Sequence, residues 1–271
     1  MPELPEVETT RRGIAPAIAG RRVCDVLVRE RRLRWPIEAG FESALLGATV
    51  RAVERRAKYL LIRFDTGTLL VHLGMSGSLR VLDAAVAPRP HDHWDLVFDS
   101  GRVLRFHDPR RFGSAHFTAA DPLDHPLLRR LAPEPLGGDF DGGYLHRASR
   151  GRGVALKAFV MNSRLVVGVG NIYASEALFR AGLAPRRAAR RLSRAQAQAL
   201  AQAIKSVLGE AIETGGTTLR DYVNADGAPG YFRQKLYVYE RAGEPCRVCG
   251  TAVRHAVQAR RSTYWCPHCQ R

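Results

Sequence analysis

The chain has 271 residues, enough for one large domain or two ordinary ones, and 45% of them are hydrophobic. Lysine and arginine outnumber aspartate and glutamate by 42 to 26, and the formal net charge is +16. This charge is typical of proteins that bind polyanions, although a basic protein kept soluble by its charge is the alternative. No apolar run is long enough to span a membrane, and the acidic start does not fit a secretory signal peptide.

The first segment is predicted to be a helix, because apolar residues recur at helical spacing until a glycine ends it. Pro5 suits its first turn, and Glu6 suits the positive end of the helix dipole. Once Met1 is removed, Pro2 carries a secondary amine with a pKa of about 7.7–8.0. Such an amine can attack a carbonyl-like carbon and form an iminium, while the Glu3 carboxylate can move protons. Taken alone, these residues indicate only the start of a helix.

From residue 23 the pattern changes to short runs of strand-forming residues, with turn signals between several of them. Many short strands at close spacing predict an antiparallel β-sandwich or barrel. Cys24, in the first run, is expected to be a small buried side chain. The predicted strands are Val23–Val28, Thr49–Arg56, Tyr59–Phe64, Leu69–Leu73, Leu79–Leu82, Trp94–Phe98, Val103–His107 and Ser114–Phe117.

The second half of the chain is predicted to be helical. Asn171 follows two glycines and is a good N-cap for the helix after it, and Ser193 with Gln196 forms a capping box that starts the longest helix. Residues 147–152 form a basic loop, and residues 217–232 form a long segment without periodicity, which is typical of a functional loop. The other predicted helices are Leu127–Leu131, Val154–Met161 and Ile172–Arg180.

Near the C-terminal end of the chain, four cysteines form two matched pairs, each with two residues between its cysteines. They are Cys246, Cys249, Cys266 and Cys269. Two such pairs predict a tetrahedral site in which four thiolates hold one structural zinc ion and leave no open position. Arg260 and Arg261 lie at the turn of the predicted hairpin between the pairs. An arginine fixed there suits entry into a groove, and a solvated charge pair is the alternative.

Two loops in the strand half combine glycine with large side chains. Met75 lies in a Gly/Ser loop, and Arg110 and Phe112 lie in a second loop. Proteins fill a gap in a base stack with apolar wedges and arginine, whereas burial in the core is the alternative for Met75 and Phe112. Lys58 stands just before an apolar strand, where a lysine either holds a phosphate or is simply solvated.

Together these segments resemble bacterial formamidopyrimidine-DNA glycosylases. The resemblance rests on the four cysteines and on the start of the chain, and it covers residues 2 to 269. The remaining matching runs are Arg56–Leu60, His72–Ser78, Asp108–Gly113 and Gly168–Glu176. The sister family of endonuclease VIII-like glycosylases typically continues its Pro-Glu start with glycine. Leu4 stands at that position here, which favours the branch that acts on oxidised purines.

The resemblance implies an α+β protein with three domains. Residues 1–120 would form an N-terminal helix and an antiparallel β-sandwich, residues 121–235 a helix–two-turns–helix DNA-binding domain, and residues 236–271 a four-cysteine zinc finger. The implied activity is that of a bifunctional DNA glycosylase and abasic-site lyase of base excision repair. It would excise 8-oxoguanine and formamidopyrimidines from duplex DNA through a proline iminium, followed by β,δ-elimination.

The resemblance also implies partners and residue roles. The partner would be damaged double-stranded DNA, the cofactor one structural Zn²⁺ with no organic cofactor, and the protein a cytoplasmic, nucleoid-associated bacterial monomer without a membrane partner. Pro2 would be the nucleophile and Glu3 the acid/base. The residues that match the family's phosphate clamp at the active site are Lys58, Asn171 and Arg261. Those that match its gap-filling residues are Met75, Arg110 and Phe112. Those that match other family residues, at the site or on the DNA, are Glu6, His91 and Arg152.

The chain departs from the family pattern at residues 147–153, which are lysine-rich in several relatives. Here Arg150 and Arg152 alternate with glycines, so lysine contacts do not carry over. Residues 217–231 resemble the loop that closes over the lesion, and no base contact is assigned to them. Two alternatives stay open: a glycosylase that prefers oxidised pyrimidines, and a DNA-damage binder without catalysis, against which the intact Pro2 and Glu3 argue. A ribosome-associated zinc protein is supported by charge alone.

Overall fold

The structure, a computed structural model, describes residues 2–216 and 235–271. These residues form two compact units, residues 2–129 with 214–216 and residues 130–213 with 235–271. The predicted division into three domains at residues 120 and 235 stays a prediction. Within the described residues, no helix is long and apolar enough to cross a membrane.

The first unit is built on a helix, α1 (Leu4–Ile18), followed by eight strands and a short helix, α2 (Phe41–Leu45), within its described residues. The predicted strands are confirmed to within two residues at each end. The strands are β1 (Val23–Val28), β2 (Val50–Arg56), β3 (Tyr59–Phe64), β4 (Thr68–His72), β5 (Ser78–Asp83), β6 (Asp92–Phe98), β7 (Arg102–His107) and β8 (Ser114–Thr118).

These strands pair into two antiparallel four-stranded sheets, with the orders β1–β6–β7–β5 and β2–β3–β4–β8. Apolar side chains of both sheets, such as Ile62 and Phe106, belong to one buried cluster, which confirms the predicted sandwich. Val7 and Ile14 of α1 belong to the same cluster. The position of α1 is therefore fixed by burial of its apolar face.

An ion-pair network is buried within the β1–β6–β7–β5 sheet. Arg105 on β7 is 3% exposed, and its Nε and Nη2 donate to the Asp95 carboxylate at 2.9 and 2.8 Å. Arg29 donates to the same carboxylate, and Arg105 Nη1 also donates to the Val86 carbonyl at 2.9 Å. Burial by itself would raise the pKa of Asp95, but the hydrogen bonds from Arg105 and Arg29 lower it. The network therefore keeps a charged carboxylate inside the sheet.

The second unit contains four helices and a β-hairpin in its described residues. The helices are α3 (Gly142–Ser149), α4 (Leu156–Val160), α5 (Asn171–Arg180) and α6 (Arg194–Glu213), and the hairpin strands are β9 (Arg254–Gln258) and β10 (Arg261–Trp265). The predicted capping box of α6 is confirmed, because Gln196 N donates to Ser193 Oγ at 3.2 Å and Ser193 N donates to Gln196 Oε1 at 3.1 Å. Phe179 of α5 packs with Cys246 and Cys266, so the cysteine-bearing segment shares a core with α5.

Three local predictions are wrong, in addition to the N-cap at Asn171, which is described with the site. Residues 127–131 form turns instead of a helix, because the run between Pro126 and Pro133 is too short to nucleate one and a residue before proline avoids helical angles. Cys24 is exposed, because a register shift in β1 between Val23 and Asp25 interrupts the alternation of its side chains. The predicted basic loop 147–152 begins inside α3, which ends at Ser149.

Arg105→Met tests the buried network. The substitution leaves Asp95 buried with one cationic partner fewer, and we expect it to lower the free energy of unfolding by about 3–5 kcal/mol. Arg51→Met is the matched control, since Arg51 pairs with Asp65 at the surface at 3.5 Å and should lose less than about 1 kcal/mol. Denaturant unfolding of both variants measures the difference. Equal losses would contradict the assignment.

Candidate functional site

The first candidate residues lie at the buried start of α1. Pro2 is buried, Glu3 is 2% exposed and Glu6 is 1% exposed. Glu3 is the N-cap of the helix: its side chain accepts a hydrogen bond from the backbone N–H of Glu6, and its own N–H donates to Glu6 Oε2 at 2.8 Å. This reciprocal pair is a capping box built from two glutamates. It fixes the peptide unit that joins Pro2 to Glu3.

Glu6 also lies close to Gly216, the last residue that the structure describes before residue 217. A Cβ added to Gly216, which has a φ of +82°, would lie 3.1 Å from Glu6 Oε1. Glycine therefore allows the backbone to approach this carboxylate closely. The predicted lesion-covering loop, residues 217–231, lies outside the described residues.

Lys58 lies in the turn between β2 and β3, and Arg55, near the end of β2, connects this turn to α1. Arg55 Nε donates to Glu8 Oε2 on α1 at 3.1 Å, while Arg55 Nη1 donates to the Ala57 carbonyl at 3.0 Å. Burial by itself would raise the pKa of Glu8, but hydrogen bonds from Arg11 and Arg12 lower it. A single arginine thus joins the helix that begins at Glu3 to the turn that carries Lys58.

His72, at the end of β4, lies close to the charge of Lys58. Its ring contacts that of Tyr59, with centroids 4.8 Å apart, and its Nδ1 accepts the Gly74 N–H at 2.9 Å. Burial, with the positive charges of Lys58 and Arg34, lowers the pKa of His72 to about 4. His72 is therefore neutral at physiological pH and adds no positive charge beside Lys58.

The loops that carry Met75, Arg110 and Phe112 are held together by one buried carboxylate. Asp108 is fully buried, and its two carboxylate oxygens accept the Ser76 hydroxyl at 2.8 Å and the Gly113 N–H at 2.7 Å. Met75 and Phe112 are 38% and 41% exposed, so burial in the core does not account for them. The Arg110 guanidinium lies over the Phe112 ring, 4.9 Å from its centroid.

Gly74 allows the close approach of these two loops. Its φ is +67°, and an added Cβ would lie 2.5 Å from the Phe112 carbonyl carbon and 2.5 Å from the Gly113 nitrogen. Any other residue would push the loops apart. His91, exposed and with a φ of +73°, accepts the Asp108 N–H at its carbonyl at 3.0 Å and so lies next to the same loop.

Asn171 is the first residue of α5, and the prediction that it is the N-cap is wrong. The N-cap is Gly170, whose extended backbone occupies that position without a side-chain bond. The Asn171 side chain is thereby left for other contacts, and its Nδ2 lies 3.5 Å from the Tyr239 hydroxyl. Glu176, on the same helix, is fully buried and accepts the N–H groups of Tyr237, Val238 and Tyr239 at 2.8–3.0 Å.

The four C-terminal cysteines converge on one point. Their sulfurs all lie within 4.8 Å of one another, with 3.9 Å between Cys246 and Cys269 and 3.5 Å between Cys249 and Cys266. Four thiolates around zinc at the usual bond length lie about 3.8 Å apart. The donor set therefore fits one structural zinc ion, with all four positions filled by protein.

Arg261 begins β10, directly after the two-residue turn of the zinc-binding hairpin. Both turn residues, Ala259 and Arg260, have positive φ angles, of 49° and 61°, as in tight hairpin turns. Arg152 is exposed, and its Nε donates to the Ala148 carbonyl at 2.8 Å at the end of α3. The second unit thus contains Asn171, Arg152, Arg261 and the four cysteines, and the first unit contains the other predicted site residues.

The sequence did not indicate Asp108, Glu176 or Arg55 as residues that organise the site. Asp108 and Glu176 lie within runs that carry the family resemblance, but nothing local shows that their carboxylates are buried. For Glu176 the one available signal is an acidic residue in an otherwise apolar and glycine-bearing segment, whereas the neighbours of Asp108 give no such signal.

The described residues thus contain a sandwich with a capped N-terminal helix, a helical unit and a β-hairpin flanked by four converging cysteines. Three family profiles match in order: the formamidopyrimidine-DNA glycosylase N-terminal domain over residues 1–115, the H2TH domain of that family over residues 131–223, and the zinc finger found in FPG and IleRS over residues 243–271. The chain belongs to the formamidopyrimidine-DNA glycosylase family.

Relatives and solved structures agree with this placement. The formamidopyrimidine-DNA glycosylases of Methylococcus capsulatus and Thioalkalivibrio sulfidiphilus are 59% and 60% identical, over all of both chains. The crystal structure of the MutM (Fpg) protein from Thermus thermophilus is 42% identical, with a TM-score of 0.90 over 99% of this chain and 98% of that one. A Lactococcus lactis FPG mutant in complex with Fapy-dG-containing DNA is 32% identical, with a TM-score of 0.93 over the whole of both chains.

The neutral state of His72 predicts a dependence of stability on pH. In the unfolded chain His72 binds a proton below its ordinary pKa of 6.5, whereas in the folded chain it does so only near 4. The unfolded state therefore binds more protons between these values, and stability is lost as the pH falls from 6.5 to 4, by about 3 kcal/mol. His72→Asn keeps an acceptor for Gly74 and should flatten this part of the curve.

Denaturant unfolding at pH 4.5 and pH 7.5 measures this effect. The exposed His255→Gln is the control and should leave the wild-type pH dependence unchanged. If His72→Asn lost as much unfolding free energy between pH 7.5 and pH 4.5 as the wild type does, a neutral His72 would be contradicted.

The zinc site predicts one bound zinc per chain, which elemental analysis measures. Cys266→Ser removes one of the two buried ligands and should abolish stoichiometric zinc and lower the melting temperature, because metal binding contributes directly to folding. Cys24→Ser, at the exposed cysteine of β1, is the matched control and should keep one zinc. Full zinc content in Cys266→Ser would overturn the four-thiolate site.

Proposed function

We propose that the protein is a bifunctional DNA glycosylase and abasic-site lyase that excises oxidised purines, 8-oxoguanine and formamidopyrimidines, from duplex DNA. The observation that carries the proposal is the capping box at the start of α1, which holds Glu3 beside Pro2 at the buried end of the chain. Membership of the family supports the same activity. The Lactococcus lactis relative bound to Fapy-dG-containing DNA supports the substrate class.

The first chemical step uses the Pro2 nitrogen. Once Met1 is removed, this secondary amine attacks the anomeric carbon of the damaged nucleotide, the base leaves, and opening of the sugar ring gives an iminium. Glu3 supplies a proton to the opening ring and assists the later proton transfers. The iminium acidifies the adjacent C–H bond, so β-elimination and then δ-elimination release both phosphates.

Glu6 acts through the backbone in this scheme. Its carboxylate holds the Glu3 N–H at 2.8 Å and thereby orients the peptide that connects the nucleophile to the acid/base. Because rate depends steeply on the alignment of reacting groups, an oriented amine is favoured over a freely rotating terminus. We assign Glu6 as an orienting residue and Pro2 and Glu3 as the reacting groups.

The remaining candidates bind DNA. Flipping a base costs a few kcal/mol, and side chains that fill the vacated space offset that cost. The residues assigned to phosphates at the flipped nucleotide are Lys58, Asn171 and Arg261. Those assigned to the vacated space are Met75, Arg110 and Phe112. Those assigned to other DNA contacts are His91 and Arg152. Arg110 faces the orphaned cytosine, and its position over the Phe112 ring supports a shared role.

The net charge of +16 supports non-specific affinity for duplex DNA. We place the protein in the bacterial cytoplasm, associated with the nucleoid, and we propose that it acts as a monomer.

Borohydride trapping tests the proposal. The protein is incubated with a duplex that carries 8-oxoguanine opposite cytosine, and sodium borohydride reduces any iminium to a stable amine. We expect a covalent complex whose cross-link maps to Pro2 by peptide mass, and its loss when one residue extends the N-terminus. Glu3→Gln keeps an acceptor for the capping bond and should lower the excision rate on the order of 100-fold.

Other outcomes separate the alternatives. A cross-link at Lys58 would keep the lyase activity but move the nucleophile. No cross-link, from protein with Met1 removed, zinc bound and DNA bound, would leave a DNA-damage binder or a hydrolytic glycosylase. Faster excision of an oxidised pyrimidine than of 8-oxoguanine would move the protein to the endonuclease VIII branch.

A further inference from the structure

Lys157 is a buried lysine that the proposed chemistry does not use. It lies on α4 and is 3% exposed. Its ammonium donates to the Ser262 carbonyl at 2.6 Å and to the Thr263 hydroxyl oxygen at 3.0 Å. Removing an ammonium from water is costly unless its hydrogen bonds are replaced. These bonds tie the retained charge to β10.

Both acceptors lie directly after Arg261 on β10. Thr263 is fully buried, and its hydroxyl donates to the Arg261 carbonyl at 3.3 Å. Because an ammonium has no acceptor atoms, the Thr263 oxygen must accept from Lys157 and direct its own proton elsewhere. Lys157 therefore donates to Thr263, and Thr263 donates in turn to the backbone carbonyl of Arg261.

The packing between α4 and the hairpin leaves a gap. A cavity of about 180 Å³ lies between α4 and the hairpin, and its lining includes Arg261 itself. The Oε1 atom of Gln258, which pairs with Arg261 across the turn, is buried without a hydrogen-bond partner. The lining residues are Lys157, Ala158, Met161, Gln258, Ala259 and Arg261. The bonds from Lys157 and Thr263 therefore hold the strand beside Arg261 at a place where close packing is interrupted.

We propose that Lys157 is a positioning residue that acts through Thr263 to hold Arg261 in place for the phosphate at the flipped nucleotide. The inference rests on the proposed function of Arg261. It accounts for a buried charge on a five-residue helix whose partners are more than a hundred positions away in the sequence.

A double-mutant cycle tests the inference. Lys157→Met, Arg261→Ala and the double variant are compared with wild type, with zinc content and melting temperature measured for each. The probe is a duplex that carries tetrahydrofuran, an abasic analogue that cannot be cleaved. We expect Lys157→Met to weaken binding about tenfold and to lower the slope of log Kd against log salt by about one, as loss of one phosphate contact does.

In the Arg261→Ala background, Lys157→Met should have no further effect on affinity or salt slope, because the residue that it positions is gone. Lys157→Arg keeps a cationic donor and should restore most of the affinity. Lys205→Met is the matched control: the Lys205 ammonium donates to the Gly137 carbonyl at 3.0 Å, away from the hairpin, and its loss should leave binding unchanged.

Thr263→Val provides a second route if Lys157→Met loses zinc. It removes the hydroxyl with little change in volume, and it should show the same lack of additivity with Arg261→Ala. Additive effects, or an unchanged affinity in zinc-bound Lys157→Met, would overturn the inference about Lys157 and leave the role of Arg261 intact. An unaffected Arg261→Ala would overturn the role of Arg261 as well, whereas a failure of wild type to excise oxidised purines would overturn the proposed function.

Discussion

The reciprocal hydrogen bonds between Glu3 and Glu6 fix the start of α1, and the candidate site of the first unit depends on them. A carboxylate can be buried at low cost only where donors already point at it, and the first turn of a helix supplies unpaired N–H groups and the positive end of a dipole. The start of α1 therefore suits an acid/base that must be shielded from water and still accept protons. The same bonds fix the peptide beside Pro2, while Val7 and Ile14 bury the other side of the helix in the sandwich core.

Buried charges locate the functional loops in both units. Asp108 accepts bonds from two segments and holds the loops of Met75 and Phe112 together. Glu176 accepts three consecutive backbone N–H groups ahead of the zinc-binding cysteines, and although burial raises the pKa of its carboxyl, those three bonds favour the charged form. Loops rich in glycine and polar residues contribute little apolar surface to a core. Hydrogen bonds to a buried charge provide the geometric precision that packing does not supply.

The sequence predicted features whose causes are local. Strand periodicity, the Ser193–Gln196 capping box and the spacing of the cysteines each depend on residues a few positions apart, and the structure agrees with all three. Errors arose where backbone geometry overrode side-chain preference, as at Asn171, where Gly170 takes the N-cap position, and at Cys24, beside a register shift. Buried carboxylates and ammonium groups could not be predicted, since their partners are distant: Ser76 lies 32 positions from Asp108. Only the folded chain brings such partners together.

The positive charge of the chain divides into two kinds with different functions. Arg55 and Arg105 pair with carboxylates that are buried or nearly so, and each pair removes one charge of each sign. Pairing therefore leaves the excess of +16 unchanged. Exposed guanidinium groups such as that of Arg152 can add affinity for any duplex, because this contribution depends on neutralised phosphates and not on sequence. Alignment at a damaged nucleotide requires cations whose positions are fixed. The bond to the Ala57 carbonyl, next to Lys58, and the bond to the Arg261 carbonyl support that proposed role, because they hold the backbone at these residues. In the proposed function, net charge governs the search for damage, whereas cations held in fixed positions govern the chemistry.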